Sequence, residues 1–144
     1  MTLSLPAKMI GAMLAHAYED LPNECCGLIT SLDDSPEAFY RIRNDSSSPF
    51  RYTMNGQDVI DVMRDIDYDD GRIMVVYHSH VASKAYPSRT DVIDSLWPSS
   101  DFPIFPNAHY VVMSLKDRTA PLVRAFRIVN GKIRRERLEQ EWPS

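Results

Sequence analysis

Apolar residues recur at two distinct spacings along this chain, and the spacings divide it into helices and strands. Met9, Ile10, Met13, Leu14 and Ala17 fall three and four apart, which gives one apolar stripe on a helix beginning near Pro6. Pro6 suits a first-turn position, and Pro22 ends the helix near Asp20, because the residue before a proline disfavours helical backbone. Val59, Ile60, Met63 and Ile66 repeat the pattern and predict a second helix over about 57–68, with Asp58 and Asp61 at the end that favours negative charge. Residues 73–77 are apolar without a break, as in a strand covered on both faces, and they lead directly into His78 and His80.

Shorter signals fill in the rest. Residues 25–31 read as a buried strand led by Glu24, and 39–43 as an alternating one. A short helix is expected after Ser88. The stretch 97–106 holds three prolines and three aromatics, too broken for a helix or a central strand. Strands are predicted at 109–115, 122–129 and 132–138, the last two joined by Asn130-Gly131, a strong two-residue hairpin signal. Residues 139–144 are expected to form a loose tail. The sum is an α/β domain with helices flanking a mixed sheet.

The length of 144 residues suits one domain, and 44% hydrophobic with 25% charged residues is ordinary for a globular chain. A net charge of −4 gives no general footprint for nucleic acid. The charge is uneven, however. Residues 58–70 carry six aspartates against Arg64, and 116–137 carry eight basic residues against Asp117 and Glu136. Solvated faces explain both runs; docking of a charged protein partner on one of them is the sharper reading. The first residues lack the basic and apolar runs of a secretion signal, and no window approaches the 18 apolar residues of a membrane span. Cys25 and Cys26 are adjacent and are expected to be reduced, so the expectation is a cytoplasmic protein with no membrane partner.

The candidate chemistry lies in His78-x-His80. Residues two apart on a strand share a face, so both imidazoles can converge on one ion. Asp91 supplies a carboxylate eleven residues on, and a fourth position is left for water. Ser88 stands three residues before Asp91, a spacing that also reads as a helix capping box. Glu24, opening a buried strand, is a candidate to move protons, although a lone glutamate before a strand is more often a surface residue. His16 and His109 read as structural. Lys84 and Arg89, beside the motif, could hold a terminal carboxylate.

Glu24, His78-x-His80, Ser88 and Asp91 resemble, in order and spacing, the motif of the JAMM (MPN-plus) zinc metalloproteases. The strings Glu24-Cys-Cys-Gly27, Tyr77-His-Ser-His80 and Ala85-Tyr-Pro-Ser-Arg-Thr-Asp91 are similar to the small bacterial members called Mec. The resemblance implies one such domain over residues 1–138, with a curved, cytidine-deaminase-like mixed sheet. It implies one Zn2+ on His78, His80 and Asp91, Glu24 as proton shuttle, and Ser88 as donor to the oxyanion. The implied substrate is a ubiquitin-like sulfur-carrier protein, trimmed after its Gly-Gly tail to release cysteine or a short peptide in sulfur transfer. Val81 departs from the proline common after the second histidine, and 97–106 is longer than its counterpart. Three other functions stay open: an isopeptidase for lysine-linked ubiquitin-like conjugates, a non-catalytic MPN scaffold, and a non-haem iron oxygenase with the same donor set. The oligomeric state, a dimer included, is also open.

Overall fold

Seven strands form one curled, mixed sheet in the computed structural model, which describes residues 1–68 and 70–143. In chain order the elements are β1 (Thr2–Pro6), α1 (Ala7–Glu19), β2 (Cys26–Leu32), β3 (Ser35–Ile42), α2 (Gly56–Tyr68), β4 (Arg72–His80), α3 (Arg89–Asp94), β5 (His109–Ser114), β6 (Leu122–Val129) and β7 (Lys132–Glu141). The strand order is β1-β7-β6-β5-β4-β2-β3. β4 runs parallel to β5 and β1 parallel to β7; the other neighbours are antiparallel.

The unbroken apolar run of β4 has a direct structural cause, since each face of that strand meets a separate core. Val75 and Tyr77 pack with Met9, Ile10, Met13 and Ala17 of α1 and with Val111 and Met113 of β5. Val76 packs on the opposite side with Leu28, Val112, Phe126 and the Val62 and Ile66 side chains of α2. Alternation along β4 therefore sends His78 and His80 to the α2 side of the sheet. No helix among the described residues is long and apolar enough to cross a membrane.

Several boundaries differ from the sequence pattern. β1 was not signalled, yet Leu3 and Leu5 are fully buried and the strand pairs with β7 from Thr2–Arg137 to Pro6–Glu141. That pairing corrects the expected loose tail over residues 139–141, which are held in the sheet by Ser4, Leu5 and Pro6 of β1. Pro6 stands at the helix N-cap rather than in its first turn. β3 begins at Ser35, earlier than its alternation suggested. Asn130 and Gly131 both have positive φ, 52° and 73°, as a tight hairpin of that type requires. Residues 97–106 form a strap tied at both ends: Trp97 N–H donates to the Phe102 carbonyl and Ile104 N–H to the Ser95 carbonyl, each at 2.9 Å.

Gly27 has a packing reason. A Cβ there would lie 2.1 Å from the Tyr77 ring, whose hydroxyl is 2.7 Å from His16 Nδ1 in the core beneath α1. The ring is buried and stacked on Phe39, so it has nowhere to retreat. Gly27→Ala is expected to destabilise the domain by about 1–3 kcal/mol through overpacking. Urea unfolding measures this, and an unchanged midpoint would show that the ring can move aside.

Candidate metal centre

The site forms where β4 ends. Cys26 pairs with His78 across the antiparallel β2–β4 ladder, and His80 pairs with Ser114 of parallel β5. The loop that follows brings in α3, whose N-cap is Ser88. The Ser88 hydroxyl accepts from Asp91 N–H at 3.0 Å, and Ser88 N–H donates to Asp91 Oδ2 at 2.7 Å, a reciprocal capping box. Capping thus fixes the Asp91 carboxylate with one oxygen turned toward the histidines. Asp91 Oδ2 lies 3.0 Å from both His78 Nε2 and His80 Nε2, and the two nitrogens are 3.1 Å apart.

Proton placement decides what such a cluster can hold. His80 Nδ1 is 2.8 Å from the Lys84 carbonyl, which can only accept, so Nδ1 carries a proton and Nε2 is the nitrogen turned inward. Burial pushes the His78 imidazole below its ordinary pKa and favours the neutral ring. Burial alone would raise Asp91, but the bonds from His78 and His80 outweigh it and hold the carboxyl well below the usual range. Burial lowers His80, but its bonds to Asp91 and the Lys84 carbonyl outweigh that and raise it, so an ion binding here displaces a ring proton. Two imidazoles and a carboxylate, all buried, then present ligand atoms to one point. Atoms bound tetrahedrally at 2.0–2.1 Å sit about 3.3 Å from one another, close to the spacing here, so the residues fit a zinc ion.

Glu24 is 4% exposed and stands just outside β2. Its N–H donates to the Ser48 carbonyl at 2.9 Å, and its carbonyl accepts from Asn44 Nδ2 at 3.0 Å. The β2–β4 pairing continues past Cys26, with Ser79 N–H donating to the Cys25 carbonyl at 3.0 Å and Cys25 N–H to Ser79 Oγ at 2.8 Å. One residue further, Glu24 falls opposite His80 on the same face. Burial raises its carboxyl to about 8, with His80 pulling the value down and Asp91 pushing it up. Glu24 Oε1 is buried without a hydrogen-bond partner. A desolvated carboxyl with one unmatched oxygen beside three ligand atoms is suited to taking and returning a proton.

Tyr52 was missed in the sequence. Its ring stacks on His78 with centroids 4.5 Å apart and planes 28° from parallel, and His78 Nδ1 has no hydrogen-bond partner, so stacking is the contact that backs this imidazole. Only the fold could reveal it, since Tyr52 sits in a polar loop with no periodicity. Asn44 staples that loop: its Nδ2 donates to the Glu24 and Arg51 carbonyls at 3.0 and 3.2 Å, and its Oδ1 accepts from Ser46 and Thr53 N–H at 3.0 and 2.9 Å. Tyr52 also lines an apolar groove of about 650 Å³ that continues along Val59, Ile93, Trp97 and Phe105. The strap 97–106 therefore lines a groove that reaches the Tyr52 ring stacked on His78. His16 bonds to Tyr77 and Asp20, and His109 to Glu136, both apart from the cluster. The Lys84 ammonium lies over the Tyr86 ring rather than against the ligands.

These features are those of a JAB/MPN-type domain. Residues 6–129 match the family described as prokaryotic homologs of the JAB domain, and the chain belongs to that family. It is 36% identical over 136 residues to the CysO-cysteine peptidases of Mycobacterium tuberculosis and Mycobacterium bovis, covering 93% of this chain and 88% of theirs. It is 29% identical over 103 residues to the desampylase of Haloferax volcanii, covering 67% of this chain and 74% of that one. Among solved structures, a Desulfitobacterium hafniense protein matches at a TM-score of 0.81 and 27% identity, over 99% of this chain and 94% of that one. A JAB1/MPN domain protein of Archaeoglobus fulgidus matches at 0.54 and 13% identity, over 97% and 100%, a likeness of fold alone. The family and fold read from the motif are thus borne out.

The raised Glu24 carboxyl links folding to pH. Below its ordinary value of 4.5 both states hold the proton. Between 4.5 and about 8 the unfolded chain releases it while the folded one keeps it, so this group's stabilisation is lost as pH rises through that window. Chelator-treated Glu24→Gln protein is expected to match wild type near pH 4.5 and to unfold at higher urea than wild type at pH 8. Equal midpoints at both pH values would rule out a raised carboxyl.

Proposed function

We propose that the chain is a zinc-dependent peptidase that hydrolyses the bond after the C-terminal Gly-Gly tail of a ubiquitin-like sulfur-carrier protein. The released group is cysteine or a short peptide, which puts the enzyme in sulfur transfer and cysteine biosynthesis. The observation that carries this function is the convergence of His78, His80 and Asp91 with a buried Glu24 beside them. Kinship with the CysO-cysteine peptidases supports the substrate class. Free, buried Cys25 and Cys26 suit a reducing, cytoplasmic setting.

His78, His80 and Asp91 would hold the ion. When bound, zinc supplies Lewis acidity toward the scissile carbonyl and makes water a better nucleophile near neutral pH. Glu24 takes a proton from the attacking water and returns it to the leaving amine, and its desolvated surroundings place its affinity for protons near the working pH. Ser88 can combine two roles. Its oxygen accepts from Asp91 N–H, which leaves the hydroxyl proton free for the oxyanion of the tetrahedral intermediate. One such donor is typically worth about 3 kcal/mol of transition-state stabilisation.

Resemblance to the desampylase favours a second function, isopeptidase action on lysine-linked ubiquitin-like conjugates. A non-catalytic scaffold is disfavoured because no residue of the ligand set is missing.

Mass spectrometry of a carrier–cysteine adduct, incubated with zinc-loaded protein, tests the function directly. Wild type is expected to shorten the adduct at the Gly-Gly end and to stop when zinc is chelated. Glu24→Gln should retain zinc and lose turnover, whereas His80→Ala should lose both. Ser88→Ala is expected to lower kcat about 10²–10³-fold and to cost about 1 kcal/mol of stability as a lost cap. Unimpaired cleavage by Glu24→Gln would remove Glu24 from proton transfer.

A further inference from the structure

The sheet face that bears His78 and His80 is covered unevenly. α2 packs over one side through Val62 and Ile66, and Tyr86 stands edge-on against Phe126, with ring centroids 5.3 Å apart. Beyond Phe126, Arg135 and Arg137 of β7 are exposed and Arg124 of β6 is half-buried. Strand register fixes their direction. His78 pairs with Val112, Val112 with Arg124, and Phe126 with Arg135. Paired residues share a face, as do residues two apart, so Arg124, Arg135 and Arg137 lie on the side of His78. Two strand spacings, about 10 Å, separate Arg124 from His78 along the sheet.

The β6–β7 ladder ends at Ala125–Glu136, and from Arg137 onward β7 pairs with β1. Where the ladder ends there is a cleft of about 490 Å³, lined by Arg124, Arg135 and Arg137. Its charge is neutralised from within only in part. Residues 122–138 contain six basic side chains and one acidic one, Glu136, which is buried and bonded to His109. Arg137 reaches Glu139 at 3.2 Å in an exposed pair of little worth, and Arg124 and Arg135 have no ion-pair partner among the described residues. On the reverse face Arg127 stands directly opposite Arg134, an arrangement that weakens a sheet. The Asn130-Gly131 turn and the Ile128–Ile133 pair would form this hairpin without such charge. The cost of concentrating it is offset if an anionic surface binds.

We infer that this cleft and the bare β6–β7 face form the docking site for an acidic surface on the folded body of the carrier protein. The assignment rests on the peptidase function proposed above and adds to it where the carrier sits. A tail cleaved at the metal centre must run there from a folded body, and about three extended residues span 10 Å. The opposite flank of the site carries Asp61 and Asp65 of α2, whose partners Gln57 and Tyr40 are uncharged, and they repel an acidic body and so fix its orientation.

Arg135→Glu combined with Arg137→Glu tests the site, since both residues are exposed and lie outside the metal centre. Two substrates are compared: a ubiquitin-like sulfur carrier with cysteine joined to its C-terminus, and a peptide of its last six residues bearing the same cysteine. The double variant is expected to raise KM for the carrier at least tenfold with kcat held, to flatten the salt dependence of kcat/KM, and to cut the peptide as wild type does. An unchanged KM for the carrier would overturn the docking site. Binding of labelled carrier to the Glu24→Gln enzyme, with and without the two reversals, decides the matter independently of turnover. Should wild type cut neither substrate, the peptidase function fails, while weakened carrier binding would still uphold the docking site and unchanged binding would still sink it. Salt-sensitive binding of an RNA oligonucleotide in place of the carrier would also overturn it.

Discussion

Three lone pairs aimed at one point inside a protein are unfavourable unless a cation shares them, and much of this fold is arranged to hold them there. His78 Nε2, His80 Nε2 and Asp91 Oδ2 lie within 3.1 Å of one another in buried surroundings. Each is fixed by a different physical device. His80 is turned by its bond to the Lys84 carbonyl, Asp91 by the N-terminal cap of α3, and His78 by the Tyr52 ring lying against it. Because the supports are independent, weakening one leaves two ligands in place. A metal would then bind more loosely, whereas removing a ligand outright, as in His80→Ala, loses it.

The two cores of the sheet have different duties. The α1 side is closed and apolar, pinned by the Tyr77–His16 bond that Gly27 makes room for. The α2 side is where the chain departs from pure packing. It carries the His78, His80 and Asp91 cluster, the unmatched Glu24 oxygen, the apolar groove under the strap 97–106, and the arginine cleft. Glu24 shows the cost of this division. Its burial destabilises the ionised form, and the same burial brings its proton affinity close to neutral pH, where a proton shuttle is useful.

Legibility in the sequence followed the range of the interactions. His78 and His80 could be read because strand period two and an apolar run are local signals, and Asp91 because a three-residue capping spacing is local too. The capping and catalytic explanations of Ser88 were rivals in the sequence; the geometry lets its oxygen accept and its hydrogen donate at once. Tyr52 and Asn44 were invisible, since a stacking contact and a four-bond amide staple depend on how a loop folds over a distant strand. β1 and the end of β7 were missed for the same reason: residues 2–6 and 137–141 become strands only by pairing with each other. Charge counting found the basic run, but register was needed to show that three of its arginines share the face of the metal ligands.

Zinc-edge anomalous diffraction from crystals of the zinc-loaded protein tests the central claim most directly. A single peak bonded to His78 Nε2, His80 Nε2 and an Asp91 carboxylate oxygen, at about 2.0–2.2 Å with a fourth position open, is the expected result. Zinc bound elsewhere, or a cluster that stays empty at saturating zinc, would contradict it.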